Sequence, residues 1–557
     1  MLLFKEYIFH QVLGVLHIMD KSFDKIKYIF LGITVGIFVG VVISAFRISV
    51  SFVYSYMLTV YEFLRTTSNP LWYVAWILVS LIAAIIVILL IQSEPDIQGS
   101  GIQDIEGHIQ GLIKLDWFSV LWKKFIGGTL SLGSGMAIGR EGPSIQIGSV
   151  VGLGVSRLFK TTRADENLML SAGASAGLAA AFSTPVSGVL FIAEEIYHKF
   201  SENLFLITFT SAVTGNFIAY NVFGVEPIIN LDILMPFPLE DYFYLVILGI
   251  VVAGVGAIYQ KVLLAFPSWY RKLPIPNYLL PVISFLVVIP VGVLAPDLLG
   301  SGSDLIFELQ TGHLSLGVLL GIFAIRFVFM HVSYGSGVPG GIFLPILTLG
   351  ALTGAIYATF ISDYLSFESY LMINIIVYSM GALLTSVTNA TLTSVMLMLE
   401  LTGSVTQIMP LAIVCLSSFA TTRLLSSKPI YAELLLKNVK LPYTALKGSI
   451  SESELVVESN SKLDNMVVKE LRMPAPSHIT KIHRDHREFI PKANTILKAN
   501  DLITFQSDTA IASNVIEYLG VLNGVEETPE NKEKKDFTSE VIEAKKEERE
   551  QLENLDE

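Results

Sequence analysis

Long, nearly uncharged runs set the pattern of this chain. Residues 29–46, 72–92, 243–265 and 277–299 are almost wholly apolar. A hydrocarbon core about 30 Å thick takes roughly 20 apolar residues per spanning helix, and these runs meet that length. Other apolar segments are shorter and are interrupted by glycine beside proline, most clearly at 127–154 (GGTLSLGSGMAIGREGPSIQIGSVVGLG) and 334–355 (YGSGVPGGIFLPILTLGALTGA). A helix broken at membrane depth cannot leave its backbone groups facing lipid, so such breaks must face protein or a water-filled site. One broken segment in each half is the pattern of a transporter with internal repeats and a midplane site. The two segments correspond in position, without strong sequence identity between the halves.

The pattern divides the chain into four parts: a lead-in over 1–28, a polytopic all-α membrane domain over 29–438, a small α/β domain over 450–522, and a tail over 523–557. The lead-in reads as an amphipathic interfacial helix, because His10, His17 and Asp20 interrupt its apolar run and no small-residue cleavage site follows. Met1 and Met19 are alternative starts. Lys21, Lys25 and Lys27 before the first long run favour a cytoplasmic N-terminus. In the third part, short alternating runs broken by Asn, Asp and Pro read as strands and turns. Asn500-Asp501 suits a tight turn with positive φ, and 507–522 reads as a helix starting near Ser507 or Asp508. The tail is too charged and too poor in apolar residues to fold alone.

Composition agrees. Of 557 residues, 52% are hydrophobic and 15% charged, against about one quarter charged in ordinary soluble domains, and mean hydropathy is +0.61. The single cysteine, Cys415, excludes an internal disulfide or a multi-cysteine metal site and reads as a core residue. Net charge of −12 is concentrated in the tail. No basic patch with interleaved aromatics suggests a nucleic-acid partner, no His/Glu spacing suggests zinc or another metal, and no carbonyl-lined TVGYG-type filter suggests a potassium channel.

Four segments carry candidate chemistry. In GSGIQDIEG (99–107), Ser100 between two glycines can donate its hydroxyl to an anion; the plainer alternative is a helix cap. In GREGPSIQIG (139–148), Pro143 suits a first helical turn, so the amides around Arg140, Glu141 and Gly142 are free to bind negative charge. A carboxylate in an apolar membrane segment carries a role: Glu141 either pairs with Arg140 or competes with an anion for those amides, protonation releasing it. In GSGVPGGIFLP (335–345), two glycines precede Ile342 and Phe343, whose amides can face a site; no Gly-Lys-Ser/Thr follows, so this is not a nucleotide loop. In SKPIYAELLLKN (427–438), Tyr431 offers a hydroxyl, or else an interfacial anchor.

These segments, in this order and spacing, resemble the CLC family of chloride channels and exchangers over roughly residues 25–438. The family's patterns stand here as Gly99-Ser100-Gly101-Ile102-Gln103, Gly139-Arg140-Glu141-Gly142-Pro143, Gly341-Ile342-Phe343-Leu344-Pro345 and Lys428-Pro429-Ile430-Tyr431. Gln103 stands where the family usually has proline. The resemblance implies a homodimer of all-helical subunits with inverted repeats and broken helices, each subunit with its own pore. It implies that Ser100, Tyr431 and the amides of Ile342 and Phe343 hold a central chloride, and that amides around Arg140 and Gly142 form an outer site. Glu141 would be the gating carboxylate. Glu195, in STPVSGVLFIAEEIYHKF (183–200), matches the internal proton-transfer glutamate of the exchangers; the alternative is a solvated acidic helix end beside Lys199. Glu106 matches a buried carboxylate of structural role. The expectation is a non-enzymatic antiporter exchanging two chlorides for one proton, without cofactor, in a bacterial plasma membrane with the C-terminal domain cytoplasmic. Ser100 favours chloride over nitrate. A passive chloride channel is the alternative. Residues 452–522 resemble the C-terminal subdomain of RCK regulatory domains, carried by ITKIHRDHREFIPKANTILKANDLITF. In some transporters such modules bind cyclic di-AMP, which implies a regulatory ligand of that kind here.

Overall fold

The structure, a computed structural model, describes residues 2–438 and 450–523, except 111, 199, 226–236, 312–313, 366–370, 459–460, 475, 485–486 and 509–511. The expected tail from 524 onward and Lys199 lie outside the described residues, as do the side chains of residues 2–24 that would test the interfacial reading of the lead-in. The chain separates into two units, Met1–Val439 and Lys440–Glu557.

The first unit is all helix. Its first half comprises α1 (Leu2–Thr66), α2 (Pro70–Ser93), α3 (Ile102–Ile109), α4 (Trp117–Gly133), α5 (Glu141–Phe159), α6 (Arg163–Phe182), α7 (Pro185–Phe191) and α8 (Glu202–Phe223). The second half comprises α9 (Tyr242–Tyr270), α10 (Leu280–Leu294), α11 (Ser303–Thr311), α12 (Leu316–Gly335), α13 (Phe343–Leu365), α14 (Met372–Thr388), α15 (Thr391–Thr402), α16 (Ile408–Leu424) and α17 (Ile430–Asn438). Eight helices among the described residues are long and apolar enough to cross a membrane. The runs read from sequence fall in α1, α2, α9 and α10. The short helices α3, α7, α11, α15 and α17 are the broken pieces, and glycine lets the longer ones close on one another. A Cβ on Gly148 of α5 would lie 2.2 Å from the Gly173 carbonyl of α6, so only glycine permits that approach.

The structure reveals an internal repeat that goes beyond correspondence of position. Pro95-Asp96-Ile97-Gln98-Gly99-Ser100-Gly101 enters α3, and Pro296-Asp297-Leu298-Leu299-Gly300-Ser301-Gly302 enters α11, each through a 3-10 turn. Each loop is held by one buried cation from a neighbouring helix. Lys124 of α4 donates to the carbonyls of Ile97 (2.9 Å) and Gly99 (2.8 Å). Arg326 of α12 donates to those of Leu298 (2.8 Å), Gly300 (2.9 Å) and Ser301 (2.9 Å). A second matched pair joins α7 and α15. Glu194, just past α7, accepts from the first-turn amides of Leu392 (3.1 Å) and Thr393 (2.8 Å) of α15. Glu400, near the end of α15, accepts from the first-turn amides of Val186 (2.9 Å) and Ser187 (2.8 Å) of α7. Each helix thus supplies the anionic cap of the other, where dipole and unpaired amides favour it.

The second unit is a four-stranded antiparallel sheet in the order β1-β4-β2-β3, from β1 (Ile450–Val456), β2 (Ser477–Arg484), β3 (Arg487–Phe489) and β4 (Leu502–Asp508), with helix α18 (Ala512–Leu522). Its own core gathers Val457, Leu463, Ile482, Leu497, Ile503, Phe505, Val515 and Leu519. Asn500 has φ +66°, as the turn reading requires. The helix start differs from the sequence reading: Ser507 and Asp508 do not begin α18 but complete β4, where the ladder pairs them with Ser451 and Ile450 of β1. Two neighbouring strands offer partners to that backbone, which outweighs a local capping signal.

Candidate functional site

Two glycine loops cross where the halves meet. Gly139 and Gly341 exchange both backbone hydrogen bonds, each 2.7 Å. Two residues later the chain enters α5 at Glu141 and α13 at Phe343, so both helices start from one point. The third position of each helix is proline, Pro143 and Pro345, which sacrifices no intrahelical amide. The loop preceding α3 joins the same crossing: Gly99 N–H donates to Val338 O (3.2 Å), and Gly340 N–H donates to Gly99 O (3.0 Å). Three broken helix ends therefore meet, each presenting free amides.

Ser100 stands over the start of α5. A Cβ built on Gly142 would lie 2.4 Å from Ser100 Oγ, so Gly142 is the vacated space that Ser100 occupies. The Ser100 hydroxyl is fully buried and has no hydrogen-bond partner. It is not a helix cap: Gly101, at φ +83°, holds the N-cap position of α3, and no side chain bonds there. Tyr431 is 1% exposed, which rules out an interfacial anchor. Its hydroxyl faces that of Ser100 without meeting hydrogen-bond criteria with any group, and it lies within electrostatic reach of Glu195, Tyr334 and Glu141. Phe191 bridges Tyr431 and Phe343, with ring centroids 6.2 Å from each. Ile342 and Phe343 are buried at the start of α13.

Glu141 is fully buried, and neither carboxylate oxygen meets hydrogen-bond criteria with any group. Its surroundings are the guanidinium of Arg140, the amides of Glu141 itself and Leu344, and the guanidinium of Arg47. The carboxylate thus sits between the starts of α5 and α13, among groups that favour negative charge. Arg47, on α1, donates to Ala180 O at 2.7 Å and was not foreseen; it is a lone cation in an apolar run, which is the signal that could have found it.

Glu195 is 4% exposed and is not a solvated helix end. α7 widens after Phe191 into a π-type turn, Ile192–Ile196, closed by Tyr197 N–H donating to Ile192 O at 3.0 Å. That turn gives adjacent carboxylates opposite duties: Glu194 caps α15, while Glu195 points inward near Glu106. Glu106 is buried and accepts from Gln110 at 2.9 Å. Gln103 is buried at the second position of α3, beside Asp104 at 3.3 Å. Lys124 also escaped the sequence reading; it is a charge beside Lys123 in an otherwise apolar helix. Cys415 is buried in the core.

Among the described residues, no group of His, Cys, Asp and Glu could hold a metal ion. What the arrangement offers is a set of buried amide and hydroxyl hydrogens with one carboxylate among them.

Residues 82–423 match the family model described as voltage gated chloride channel, and residues 453–520 match that of the TrkA-C domain, an RCK_C-like regulatory domain. The H(+)/Cl(-) exchange transporter ClcA of Salmonella schwarzengrund is 34% identical over 433 residues, covering 76% of this chain and 91% of that protein; ClcA of Salmonella typhimurium is equally similar. The structure of a slow cyanobacterial Cl-/H+ antiporter superposes with a TM-score of 0.69 at 30% identity, covering 74% of this chain and 98% of that one. A eukaryotic CLC transporter shares the fold, with a TM-score of 0.63 at 19% identity.

Proposed function

This chain belongs to the CLC family, and from that premise we propose that it is a secondary active antiporter exchanging two chloride ions for one proton. The observation that carries the reading is the convergence of two buried, partnerless hydroxyls, Ser100 and Tyr431, on paired helix starts where a partnerless carboxylate, Glu141, already sits. Chloride binds between Ser100, Tyr431 and the amides of Ile342 and Phe343. An outer position uses amides around Arg140 and Gly142. Donors with partial charges hold a halide without trapping it.

Glu141 and chloride compete for the same amides. Protonation neutralises the carboxylate and removes its hold on them, which lets chloride in; deprotonation returns it. A proton must therefore reach Glu141 for each cycle. Glu195 supplies the second station, buried just past α7 and within electrostatic reach of Tyr431. The exchangers among its relatives support the antiport reading over a passive channel. The protein acts as a homodimer in a bacterial plasma membrane, with residues 450–522 cytoplasmic. That domain takes a nucleotide of the cyclic di-AMP class as a regulatory ligand, a reading supported by its TrkA-C match.

Purified protein in liposomes with an imposed chloride gradient tests the mechanism. It should drive protons uphill, and Glu195→Gln should abolish proton movement while chloride flux persists. Chloride flux without linked proton movement in the unsubstituted protein would replace antiport with a channel. Calorimetry of the full chain with cyclic di-AMP tests the regulatory reading; absence of heat would remove it.

A further inference from the structure

Arg47 of α1 is 7% exposed, and the mechanism so far gives it no task. Its Nη1–H donates to Ala180 O of α6 at 2.7 Å, and its guanidinium lies 3.8 Å from the centroid of the Phe223 ring, at the end of α8. Helix contacts set that guanidinium beside the start of α5. A Cβ on Gly173 of α6 would lie 2.1 Å from Gly148 O of α5, and one on Gly177 would lie 2.3 Å from Ser144 O. Four residues along α6 are thus four residues back along α5, so the next turn of α6, with Ala180, is level with Arg140 and Glu141. Phe46 gives the same placement from α1: a Cβ on Gly128 of α4 would lie 3.1 Å from Phe46 Cζ and 3.9 Å from Pro143 Cβ. Among the described residues, Arg140 and Glu141 are the charged groups within electrostatic reach of Arg47.

Hydrogen bonding and charge are both incomplete there. The Nε–H of Arg47 and the Nε–H of Arg140 are buried without a hydrogen-bond partner. Neither Glu141 oxygen meets hydrogen-bond criteria with them, although the carboxylate lies within electrostatic reach of both cations. Two guanidiniums against one carboxylate leave a positive charge unbalanced in a buried place, which is costly without a counter-ion. Arg326 shows the contrast: buried on α12, it donates to the carbonyls of Leu298, Gly300 and Ser301 and so clamps a loop. Arg47 makes one such bond and keeps its Nε–H. A monatomic anion meets both needs at once, since it accepts donors from any direction and carries the missing negative charge.

We propose that Arg47 and Arg140 hold an additional chloride between their Nε–H groups, bound while the Glu141 carboxylate remains in place. The proposal rests on chloride being the substrate. It differs from the outer position above, which uses backbone amides that Glu141 must vacate. An anion waiting at the two arginines takes those amides as soon as protonation releases the carboxylate, and Phe223 covers the Arg47 face of the waiting place.

Bromide anomalous scattering from crystals of the unsubstituted protein and of Arg47→Gln is the test, with calorimetric chloride titration of both. Glutamine keeps a donor for Ala180 O and removes the charge. The unsubstituted protein should show a peak in contact with both guanidiniums, beside an undisplaced Glu141 carboxylate. Arg47→Gln should lose that peak, keep the one at Ser100 and Tyr431, and bind the corresponding chloride roughly tenfold or more weakly. Peaks confined to Ser100 and Tyr431 in the unsubstituted protein would overturn the proposal and leave the functional reading standing. A peak and a titration unchanged by Arg47→Gln would overturn it equally. Folded, unsubstituted protein that binds no halide anywhere would overturn the functional reading itself. Should Arg47→Gln not fold, the presence or absence of the arginine peak in the unsubstituted protein decides.

Discussion

Gly142→Ala adds one methyl group and should disable the proposed anion site. The new Cβ would lie 2.4 Å from Ser100 Oγ and 3.0 Å from both the Cα and the carbonyl oxygen of Ser100. Rotating the serine relieves only the first contact, because the other two are backbone. The loop itself must move, yet it is pinned through Gly99 to Lys124 (2.8 Å), to Gly340 (3.0 Å) and to Val338 (3.2 Å). Overpacking of this kind costs about 1–3 kcal/mol. Losing a hydrogen bond to a charged partner costs a similar amount, about 1.5–3 kcal/mol. Chloride affinity should then fall roughly 10- to 150-fold. Calorimetric chloride titration of purified protein reads this directly. Ser100→Ala, which removes the hydroxyl without the clash, should weaken binding to a similar degree. Gly254→Ala, in α9 with nothing within 4 Å of its Cβ position, is the control and should bind chloride normally. Gly142→Ala with unaltered affinity would refute the placement of Ser100 over the start of α5.

Four other substitutions test the scaffold. Lys124→Met leaves the buried carbonyls of Ile97 and Gly99 without their ammonium donor, at about 1–3 kcal/mol for each; both the thermal unfolding midpoint in detergent and chloride affinity should fall. Glu400→Gln removes the charge that caps α7 and should lower stability by about 1 kcal/mol, with Glu194→Gln at α15 giving a matching loss in the same unfolding assay. Arg484→Ala strands the fully buried Asp501 carboxylate, which Arg484 and the Lys498 amide (2.8 Å) now hold. Breaking such a pair costs about 3–5 kcal/mol, so limited proteolysis within 450–523 should accelerate markedly.

The spanning helices were legible because lipid imposes length and apolarity on every one of them. The proposed anion site was marked out for a related reason: Glu141, Ser100 and Tyr431 sit in glycine- and proline-marked breaks, and breaks in a membrane helix are expensive unless they serve a site. What stayed hidden depends on partners distant in the chain. Lys124, Arg326 and Gln260 work by holding carbonyls of other segments, and nothing in their own neighbourhoods names those carbonyls. Glu194 and Glu195 are neighbours of the same type; only the π-type turn sends one to cap α15 and the other inward. The repeat was visible in principle, since PDIQGSG and PDLLGSG differ at two positions, but its meaning lies in the two cations that clamp it. At Ser507 and Asp508 a capping signal lost to the two strands flanking β4.

The most direct test of the competition between carboxylate and halide is a bromide-soaked structure of Glu141→Gln beside the unsubstituted protein. The account predicts an additional anomalous peak between the starts of α5 and α13, where the Glu141 carboxylate otherwise sits. Identical bromide positions in both proteins, with the substituted carboxamide unmoved and that space empty of halide, would contradict it.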